Sequence, residues 1–389
     1  MDARDFFGYK HADEEPGRRP EDEEANGDRP PHFDEAITLD DPAVIAKIDQ
    51  SDMLARVREL PRQLSQARRV AASVSLDDRH KDVDLVLVLG MGGSAIGAEL
   101  VAGLAGDRLK VPLIVHRDYG LPAWVGPRTL VIAASHSGDT VETLSGAAEA
   151  RRRGLPLVVA STGGALGRQA ESDGTPFLRY EQPGQPRAAI GYGVGLIHEL
   201  LSGAGLLADP DPLGPAVEAL EAMLERNAPG VETDANPAKQ LAWAMFGRIP
   251  IVFAAGALTA VAHRWKTQLN ENAKAWAMFE PMPEANHNAI EGTLNPRELS
   301  DALYVVEIRE RDEPEHIAAR YRVVEELLGE RATNRSVVWA EGTSALSRTL
   351  DAVAMGDLVS VYLAILYQTD PTPVTLLAML KERLARSTD

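Results

Sequence analysis

Residues 83–97, VDLVLVLGMGGSAIG, constrain the fold of this chain more than any other stretch. An unbroken apolar run stops at Gly90, a Gly/Ser-rich turn follows, and a helical pattern begins directly after the turn. A continuous Val/Leu run is typical of a strand buried on both faces, as in a parallel sheet covered by helices. The sequence therefore predicts an α/β fold with this turn at the carboxyl edge of a sheet.

The turn after this strand is suited to bind an anion. Gly92 and Gly93 lack side chains, so the backbone can approach a ligand closely, and the N–H groups and dipole of the following helix favour a negative group such as phosphate. The spacing Gly90-x-Gly92-x-x-Ala95 also fits the dinucleotide fingerprint, whose acidic residue would be Asp118. A tight turn without a ligand is the plainest alternative, and this stretch alone leaves all three open.

Composition excludes several classes of protein. A length of 389 residues allows two domains of ordinary size. The lack of cysteine excludes disulfides, thiolate metal sites and a cysteine nucleophile. We find neither a run of 18 uncharged apolar residues nor a secretion signal, so we expect no membrane span and a cytoplasmic location. A net charge of −18 argues against a nucleic-acid partner.

The N-terminal half begins with an acidic segment and continues with an α/β pattern. Residues 1–36 hold 12 acidic and 5 basic side chains and few aliphatic ones, which predicts a disordered acidic tail. From Asp41 to Val74 apolar residues recur at helical spacing, and one or two helices are expected there. Strand-like and helical segments then alternate, as in a parallel sheet with right-handed crossovers. The predicted first domain is 37–208.

The C-terminal half repeats this plan after a break. Residues 209–236 begin with DPDPLGP and are predicted to be a linker helix and loop. The α/β pattern then restarts, and the predicted second domain is 237–389. Its predicted strands lie at 248–256, 302–310 and 336–342. Between the first two of these strands we expect a helix over 258–276 and an irregular stretch over 279–288.

A second polar turn follows another strand of the first domain. TLVIAAS runs into Ser-His-Ser-Gly-Asp-Thr at 135–140, and a helix begins there. Hydroxyls around the N–H groups of a helix start suit a phosphate monoester, although Ser137, Asp139 or Thr140 could merely cap that helix. Two such turns on neighbouring strands favour a phosphate site. The predicted phosphate-binding residues are Gly92, Gly93, Ser94, Ser135, Ser137 and Thr140.

These motifs resemble a known family. GMGGSAIG followed by SHSGDTVETL is similar to the sugar isomerase (SIS) domain, a parallel αβα unit that binds phosphosugars. QPGQPRAAIGY, QLNENAKAWA, EANHNAIEG and DPTPVTLLAMLKERL resemble the bifunctional phosphoglucose/phosphomannose isomerase family, which carries two SIS domains. The resemblance covers about residues 40–389. It implies two SIS-type αβα sandwich domains and an isomerase that interconverts glucose 6-phosphate and mannose 6-phosphate with fructose 6-phosphate through a cis-enediolate.

Glu271 is the predicted base of this reaction. Aldose–ketose isomerisation requires a carboxylate base, a ring-opening acid/base and a cation. Helical periodicity places Glu271 on one face with Lys274, opposite Leu269, Ala273 and Trp276. On periodicity alone an exposed surface pair of Glu271 and Lys274 is the simpler interpretation. The resemblance, however, implies that Glu271 takes and returns the proton.

The resemblance implies roles for two further residues. His287 would be the ring-opening residue and enter the active site from the partner subunit of a homodimer, and Lys381 would assist ring opening. Arg187 follows Gly184 and Pro186 and precedes a predicted helix, so its planar guanidinium could hold the enediolate through paired donors at the sheet edge. The alternatives are a loop histidine without such a role, a helix-end arginine in solvent and an ordinary charged helix face.

The sequence predicts neither a metal nor a cofactor. Glu284, His287 and Glu291 have metal-ligand chemistry at helical spacings, but no HExxH motif or cysteine accompanies them. The expected partners are therefore hexose 6-phosphates and a second copy of the chain. Two other functions stay open. A non-catalytic phosphosugar sensor would need the phosphate loops without the four catalytic residues, and an oxidoreductase would bind NAD(P).

Overall fold

The Val/Leu run forms strand β1 inside a parallel sheet. The computed structural model describes residues 37–296, 302–329 and 334–387. The sheet has five strands in the order β2-β1-β3-β4-β5, and every neighbouring pair is parallel. The strands are β1 Leu85–Leu89, β2 Leu113–His116, β3 Thr129–Ala134, β4 Leu157–Ser161 and β5 Phe177–Arg179. Strands β1, β3 and β4 are buried almost throughout, as their unbroken apolar runs predict.

Helices precede, cover and follow this sheet. They are α1 Pro42–Ile48, α2 Met53–Arg58, α3 Leu60–Ser73, α4 Asp78–Lys81, α5 Gly92–Ala105, α6 Val141–Arg152, α7 Gly164–Asp173 and α8 Ile190–Gly203. The prediction of one or two helices between Asp41 and Val74 is wrong in number, since the three helices α1 to α3 lie there. Acidic side chains start new helices in this region: Asp49 accepts from the backbone N–H of Met53 at 2.7 Å, and Asp52 caps α2.

A second parallel sheet of four strands has the order β7-β6-β8-β9. Its strands are β6 Ile249–Ala255, β7 Met278–Met282, β8 Leu303–Arg309 and β9 Arg335–Trp339. The three predicted strands are confirmed, but the prediction of an irregular stretch over 279–288 is wrong in its first part, because β7 lies there. The sequence did not predict this strand because it contains Pro281, and proline usually argues against a strand. Proline is tolerated in β7 because it lies at the edge of the sheet.

The helices of this half are α9 Leu213–Arg226, α10 Pro237–Met245, α11 Thr259–Asn272, α12 Glu315–Gly329, α13 Ala345–Leu366 and α14 Thr375–Ser387. Helix α13 is the one helix of the described residues that is long and apolar enough to cross a membrane by length and composition. However, 94% of its apolar window is buried inside the protein, where it packs on α9, α10 and α11. It therefore serves as a core helix.

Both sheets belong to one unit, Thr38–Asp389. Helix α9 lies in the predicted linker and packs against α3 and α13, so it connects the two halves through side-chain contacts. The domain limits 37–208, 209–236 and 237–389 stay predictions. The predicted acidic tail, 1–36, lies outside the described residues.

Two glycines bring α5 and α8 into close contact. A Cβ atom on Gly97 would lie 2.7 Å from the backbone carbonyl carbon of Gly193, a distance that side chains do not tolerate. Helix α5 starts at the first anion turn, and α8 follows directly after the segment that carries Arg187. The crossing of these helices therefore fixes the turn relative to that segment.

Replacing Gly97 by Ala should lower the free energy of unfolding by about 1–3 kcal/mol, because the two backbones would have to separate. Urea denaturation followed by circular dichroism would measure the change. Gly214→Ala is the matched control, since nothing lies within 4 Å of a Cβ at this position of α9. That control should be neutral or stabilising by up to about 1 kcal/mol. Equal stability of Gly97→Ala and the unmodified chain would contradict the proposed role of the crossing.

Candidate active site

Two loops at the carboxyl ends of neighbouring strands form the first part of the site. Residues 90–91 connect β1 to α5, and residues 135–140 connect β3 to α6. The backbone N–H of His136 donates to Ser94 Oγ at 3.2 Å, which joins the two loops. The N-termini of α5 and α6 therefore lie at the same edge of the sheet. Their N–H groups and dipoles favour an anion between them.

The hydroxyls of the second loop have different surroundings. Ser135 is buried, and its Oγ lies 2.9 Å from Thr140 Oγ1 and accepts from the N–H of Gly138 at 3.1 Å. Ser137 is exposed, and its Oγ accepts from the N–H of Asp139 at 3.2 Å. Thr140 holds the N-cap position of α6, but within the described part of the chain no side chain caps that helix. The structure therefore does not support the capping alternative, and the N–H groups of the first turn keep their capacity for a ligand.

Glycine lets the first loop approach the segment that carries Arg187. Gly92 has a φ of 51°, which favours glycine. A Cβ atom on Gly93 would lie 3.0 Å from the carbonyl oxygen of Pro186 and 3.3 Å from the Cα of Arg187. The predicted phosphate loop and the predicted cation are thus in direct backbone contact.

Arg187 is the centre of the second part of the site. Its side chain is only 3% exposed. The Nε atom donates to Asn272 Oδ1 at 2.6 Å, and Nη2 donates to the carbonyl oxygens of Pro371 and Thr372, both at 2.8 Å. The Nη1 atom lies 3.3 Å from Glu271 Oε2. Burial lowers the pKa of Arg187, and the Glu271 carboxylate opposes that shift.

A buried network fixes the partner of Arg187. The Nδ2 atom of Asn272 donates to Ser360 Oγ at 2.9 Å, so the amide oxygen of Asn272 is turned toward the guanidinium. Arg264 donates to the backbone oxygen of Arg187 at 2.9 Å and to Asp357 Oδ2 at 2.6 Å. Helix α11 therefore holds both ends of the arginine residue, and α13 supports the two α11 side chains that do so.

Glu271 lies in the last turn of α11 and is half-buried, with 30% of its side chain exposed. It lines a groove of about 800 Å³ together with Lys274, Trp276, Asp370 and Leu376. Its contact with Arg187 places a carboxylate beside a permanent cation at the wall of this groove. Such a pair can accept a proton from a bound molecule and stabilise the negative charge that results.

The helix carrying Glu271, predicted over 258–276, ends at Asn272. Lys274 leaves the helix with a φ of 53°, and its Nζ donates to backbone carbonyls. The interpretation of Glu271 and Lys274 as a side-chain pair is therefore wrong. Trp276, predicted on the buried side, is 73% exposed because it lies beyond the end of the helix.

Within one chain, the structure does not bring His287 and Lys381 to Glu271. His287 ends the short 3₁₀ helix Glu284–His287 after β7 and is exposed. Lys381 is exposed on α14. In the described part of the chain the carboxylate of Glu271 pairs with Arg187, and neither a hydrogen bond nor an ion pair joins it to His287 or Lys381. The roles of His287 and Lys381 stay predictions.

Several groups at the site were missed from the sequence. Asn272 follows the predicted base directly, and a polar residue in the last turn of a helix was the only signal for it. The carbonyl oxygens of Pro371 and Thr372 leave no signal in the sequence, because every residue has one. His136 Nδ1 lies 3.3 Å from Tyr180 Oη, and burial lowers the pKa of His136. The neutral imidazole of His136 therefore holds the second loop in place through its contact with Tyr180.

The described residues contain no group of three or more His, Asp or Glu side chains that could hold a metal ion. Glu284, one of the considered ligands, instead accepts from Asn288 Nδ2 at 3.1 Å. Asp118, the acidic residue considered for a dinucleotide, accepts from the N–H of Tyr119 at 2.7 Å and is exposed.

Comparisons with known proteins agree on one family. Residues 234–384 match the family model described as the bacterial phospho-glucose isomerase C-terminal SIS domain. A bifunctional phosphoglucose/phosphomannose isomerase of Caldicellulosiruptor bescii is 36% identical over 340 residues, which cover 87% of this chain and 100% of the relative. A protein of the same name from Aquifex aeolicus is 32% identical over 302 residues, covering 77% and 90%.

A solved structure extends the likeness to the fold. A hypothetical protein from Thermus thermophilus superposes with a TM-score of 0.68 at 18% identity, over 88% of this chain and 93% of the other. At that identity the match concerns the fold alone. With the SIS family model, it confirms the predicted α/β architecture of two helix-flanked parallel sheets.

Proposed function

This chain belongs to the bifunctional phosphoglucose/phosphomannose isomerase family, and we propose that it interconverts glucose 6-phosphate and mannose 6-phosphate with fructose 6-phosphate. It is an aldose–ketose isomerase. The proposed base is Glu271, and the proposed phosphate site is the pair of loops at the ends of β1 and β3.

One observation carries the proposal: the Glu271 carboxylate and the Arg187 guanidinium meet directly beside the phosphate loops. Arg187 contacts Glu271 through Nη1, and its own backbone lies against Gly93. Arg187 therefore links the loops to the carboxylate, and the proposal places the phosphate of the substrate at the two helix N-termini and its reacting end at Glu271. A phosphosugar sensor, the alternative function, needs the loops but has no use for a carboxylate held against a cation.

The proposed reaction moves one proton between two carbons. Glu271 takes the proton from C2 of the open-chain aldose, which forms a cis-enediolate. It returns this proton to C1 while the proton of the C2 hydroxyl passes to the C1 oxygen, which gives the ketose. Negative charge develops on the enediolate oxygens, and the Nη1 edge of Arg187 stabilises it. The other donors of Arg187 are held by short bonds to protein acceptors, so Nη1, whose contact with Glu271 is long, is the donor that a substrate oxygen can engage.

The planar enediolate explains how one site would serve two epimers. It has lost the stereochemistry at C2, so rotation about C2–C3 lets the proton return to either face. Glucose and mannose phosphates then arise from the same base. This mechanism needs neither a metal nor a redox cofactor, and its place is the cytoplasm, where sugar phosphates are found.

We further propose a homodimer in which His287 reaches the partner's site for ring opening, while Lys381 assists from α14. Two observations support it. His287 is exposed at the end of its 3₁₀ helix. On α14 the apolar side chains of Leu376, Leu380 and Leu384 are 80%, 52% and 56% exposed and form one helical stripe. An apolar stripe of this kind marks a surface that another chain covers.

Replacing Glu271 by Gln preserves the shape of the side chain but removes the base. Both isomerisations should fall together by at least about 10²-fold, because the same carboxylate serves both. A coupled assay with each hexose 6-phosphate, with and without a chelator, measures this, and Glu218→Gln on the exposed face of α9 is the control. In the unmodified enzyme solvent deuterium should enter the transferred position. The mechanism fails if Glu271→Gln abolishes one isomerisation and spares the other.

Replacing Ser137 by Ala should chiefly raise KM, because a phosphate contact persists from the ground state to the transition state. A smaller fall in kcat is allowed through poorer positioning of the sugar. Steady-state kinetics with fructose 6-phosphate measures both constants. Ser73→Ala, at an exposed hydroxyl of α3 that bonds the carbonyl of Val70, is the control. An unchanged KM would remove Ser137 from the phosphate site.

Subunit mixing tests the proposed dimer. Glu271→Gln and His287→Ala proteins should each be inactive alone. After subunit exchange a mixed dimer would hold one site with both residues intact, so part of the activity should return. Recovery is measured against each variant carried through the same exchange by itself. If a demonstrated mixed dimer shows no recovery of isomerase activity, both residues come from one subunit or His287 has no catalytic role.

A further inference from the structure

Lys274 occupies a backbone position where a lysine is costly. It follows Ala273, the C-cap residue of α11, and has a φ of 53°. Glycine is the usual residue just beyond a helix, because a side chain in this left-handed region costs roughly 1–2 kcal/mol. The chain keeps a long cationic side chain there, and the contacts of its ammonium group indicate why.

The ammonium group of Lys274 is surrounded by four backbone carbonyl oxygens. Two belong to the end of α11: the oxygens of Glu271 at 2.8 Å and Asn272 at 3.2 Å. Two belong to the segment before α14: the oxygens of Asp370 and Pro371, both at 3.0 Å. The negative end of the α11 dipole adds to the attraction. Lys274 therefore joins the last turn of the helix that carries Glu271 to the segment from which α14 starts.

The same segment is held from its other side by Arg187. The Pro371 oxygen accepts from both Lys274 Nζ and Arg187 Nη2, and the Thr372 oxygen accepts from Arg187 Nη2. Two cations thus share one carbonyl, and the carboxylate of Glu271 lies beside one of them. A shift of residues 370–372 would move the guanidinium with it.

We propose that Lys274 is a positioning residue of the isomerase. Its ammonium holds residues 370–372 against the end of α11 and thereby keeps the side chains of Arg187 and Glu271 in their relative positions. The proposal rests on the proposed function for its kinetic part only. The ammonium of Lys274 bonds to backbone carbonyl oxygens, so its effect on Glu271 and Arg187 passes through the carbonyls that it holds.

The positioning contact is sensitive to pH. Although Lys274 as a residue is exposed, partial burial of its side chain lowers its pKa to about 8, and the nearby charge of Arg187 acts in the same direction. Asp370 and Glu271 oppose this shift. Below about pH 8 the ammonium is charged and has three donors for the carbonyls. Above it a neutral amine keeps two donors and loses the attraction to four carbonyl dipoles, so kcat should fall on the alkaline side.

The test compares Lys274→Met, which removes the charge, with Lys274→Arg, which keeps a charge that does not titrate. Lys47→Met, at an exposed lysine of α1, is the control. Lys274→Met should lower kcat at pH 7 by about 10-fold to 100-fold and abolish the alkaline fall, because misplacement of reacting groups by about 1 Å has that cost. Lys274→Arg should recover part of kcat and move the alkaline fall upward by at least about one pH unit. An alkaline fall of kcat that stays at the same pH in both variants would overturn the proposal.

A second measurement is independent of catalysis. Hydrogen exchange should become faster in peptides spanning 367–378 in Lys274→Met but not in Lys47→Met, because residues 370–372 lose their bonds to the ammonium of Lys274. Unchanged exchange would overturn the positioning role. If the unmodified protein shows no isomerase activity, the proposed function fails, while hydrogen exchange still decides whether Lys274 holds the segment.

Discussion

The site depends on one buried guanidinium. Arg187 must satisfy its donors inside the protein, because an unpaired buried charge is strongly unfavourable. It does so mainly with neutral dipoles: the amide oxygen of Asn272 and the carbonyl oxygens of Pro371 and Thr372, all within 2.8 Å. The carboxylate of Glu271 stays at 3.3 Å. A short two-pronged ion pair would favour the ionised carboxylate and weaken it as a base. Because neutral groups hold the arginine, Glu271 keeps a cation nearby without being fully bound by it.

The phosphate loops solve a different electrostatic problem. The chain carries a net charge of −18, so its overall field repels a sugar phosphate. The attraction must be local, and at the proposed phosphate site it would come from backbone N–H groups of α5 and α6, which begin after β1 and β3. Backbone groups can reach a ligand only where side chains do not intervene. Gly93, which lies against Pro186, meets that condition and also ties the loop to Arg187. In the proposed mechanism one glycine would thus serve both phosphate binding and the position of Arg187 beside the proposed base.

The sequence predicted the parts of this molecule that depend on local pattern. Unbroken apolar runs marked β1, β3 and β4, because burial on both faces leaves no room for polar residues. The two polar turns were visible because glycine and hydroxyl residues are needed there. Prediction from sequence patterns failed where backbone groups determine the structure. Strand β7 contains Pro281, whose tolerance depends on its edge position, and the end of α11 depends on carbonyl partners 96 and 97 residues away. The anchoring by Asp370 and Pro371 could not be predicted, since backbone oxygens carry no sequence signal.

The structure separates two kinds of predicted catalytic group. The proposed base and the proposed cation contact each other within one chain, and buried contacts hold the cation. This arrangement suits proton transfer at carbon, where a small displacement of the carboxylate is costly. His287 and Lys381 are at the surface. The start of α14 is anchored through Pro371 and Thr372, but the helix beyond it presents its leucines to solvent. Covering that stripe with a second chain would bury apolar area and, in the proposed dimer, complete the site in the same event. If burial of these leucines and completion of the site occur together, a single chain has the proposed base in place but lacks the groups for ring opening. The apolar surface of α14 would then also determine when the enzyme is active.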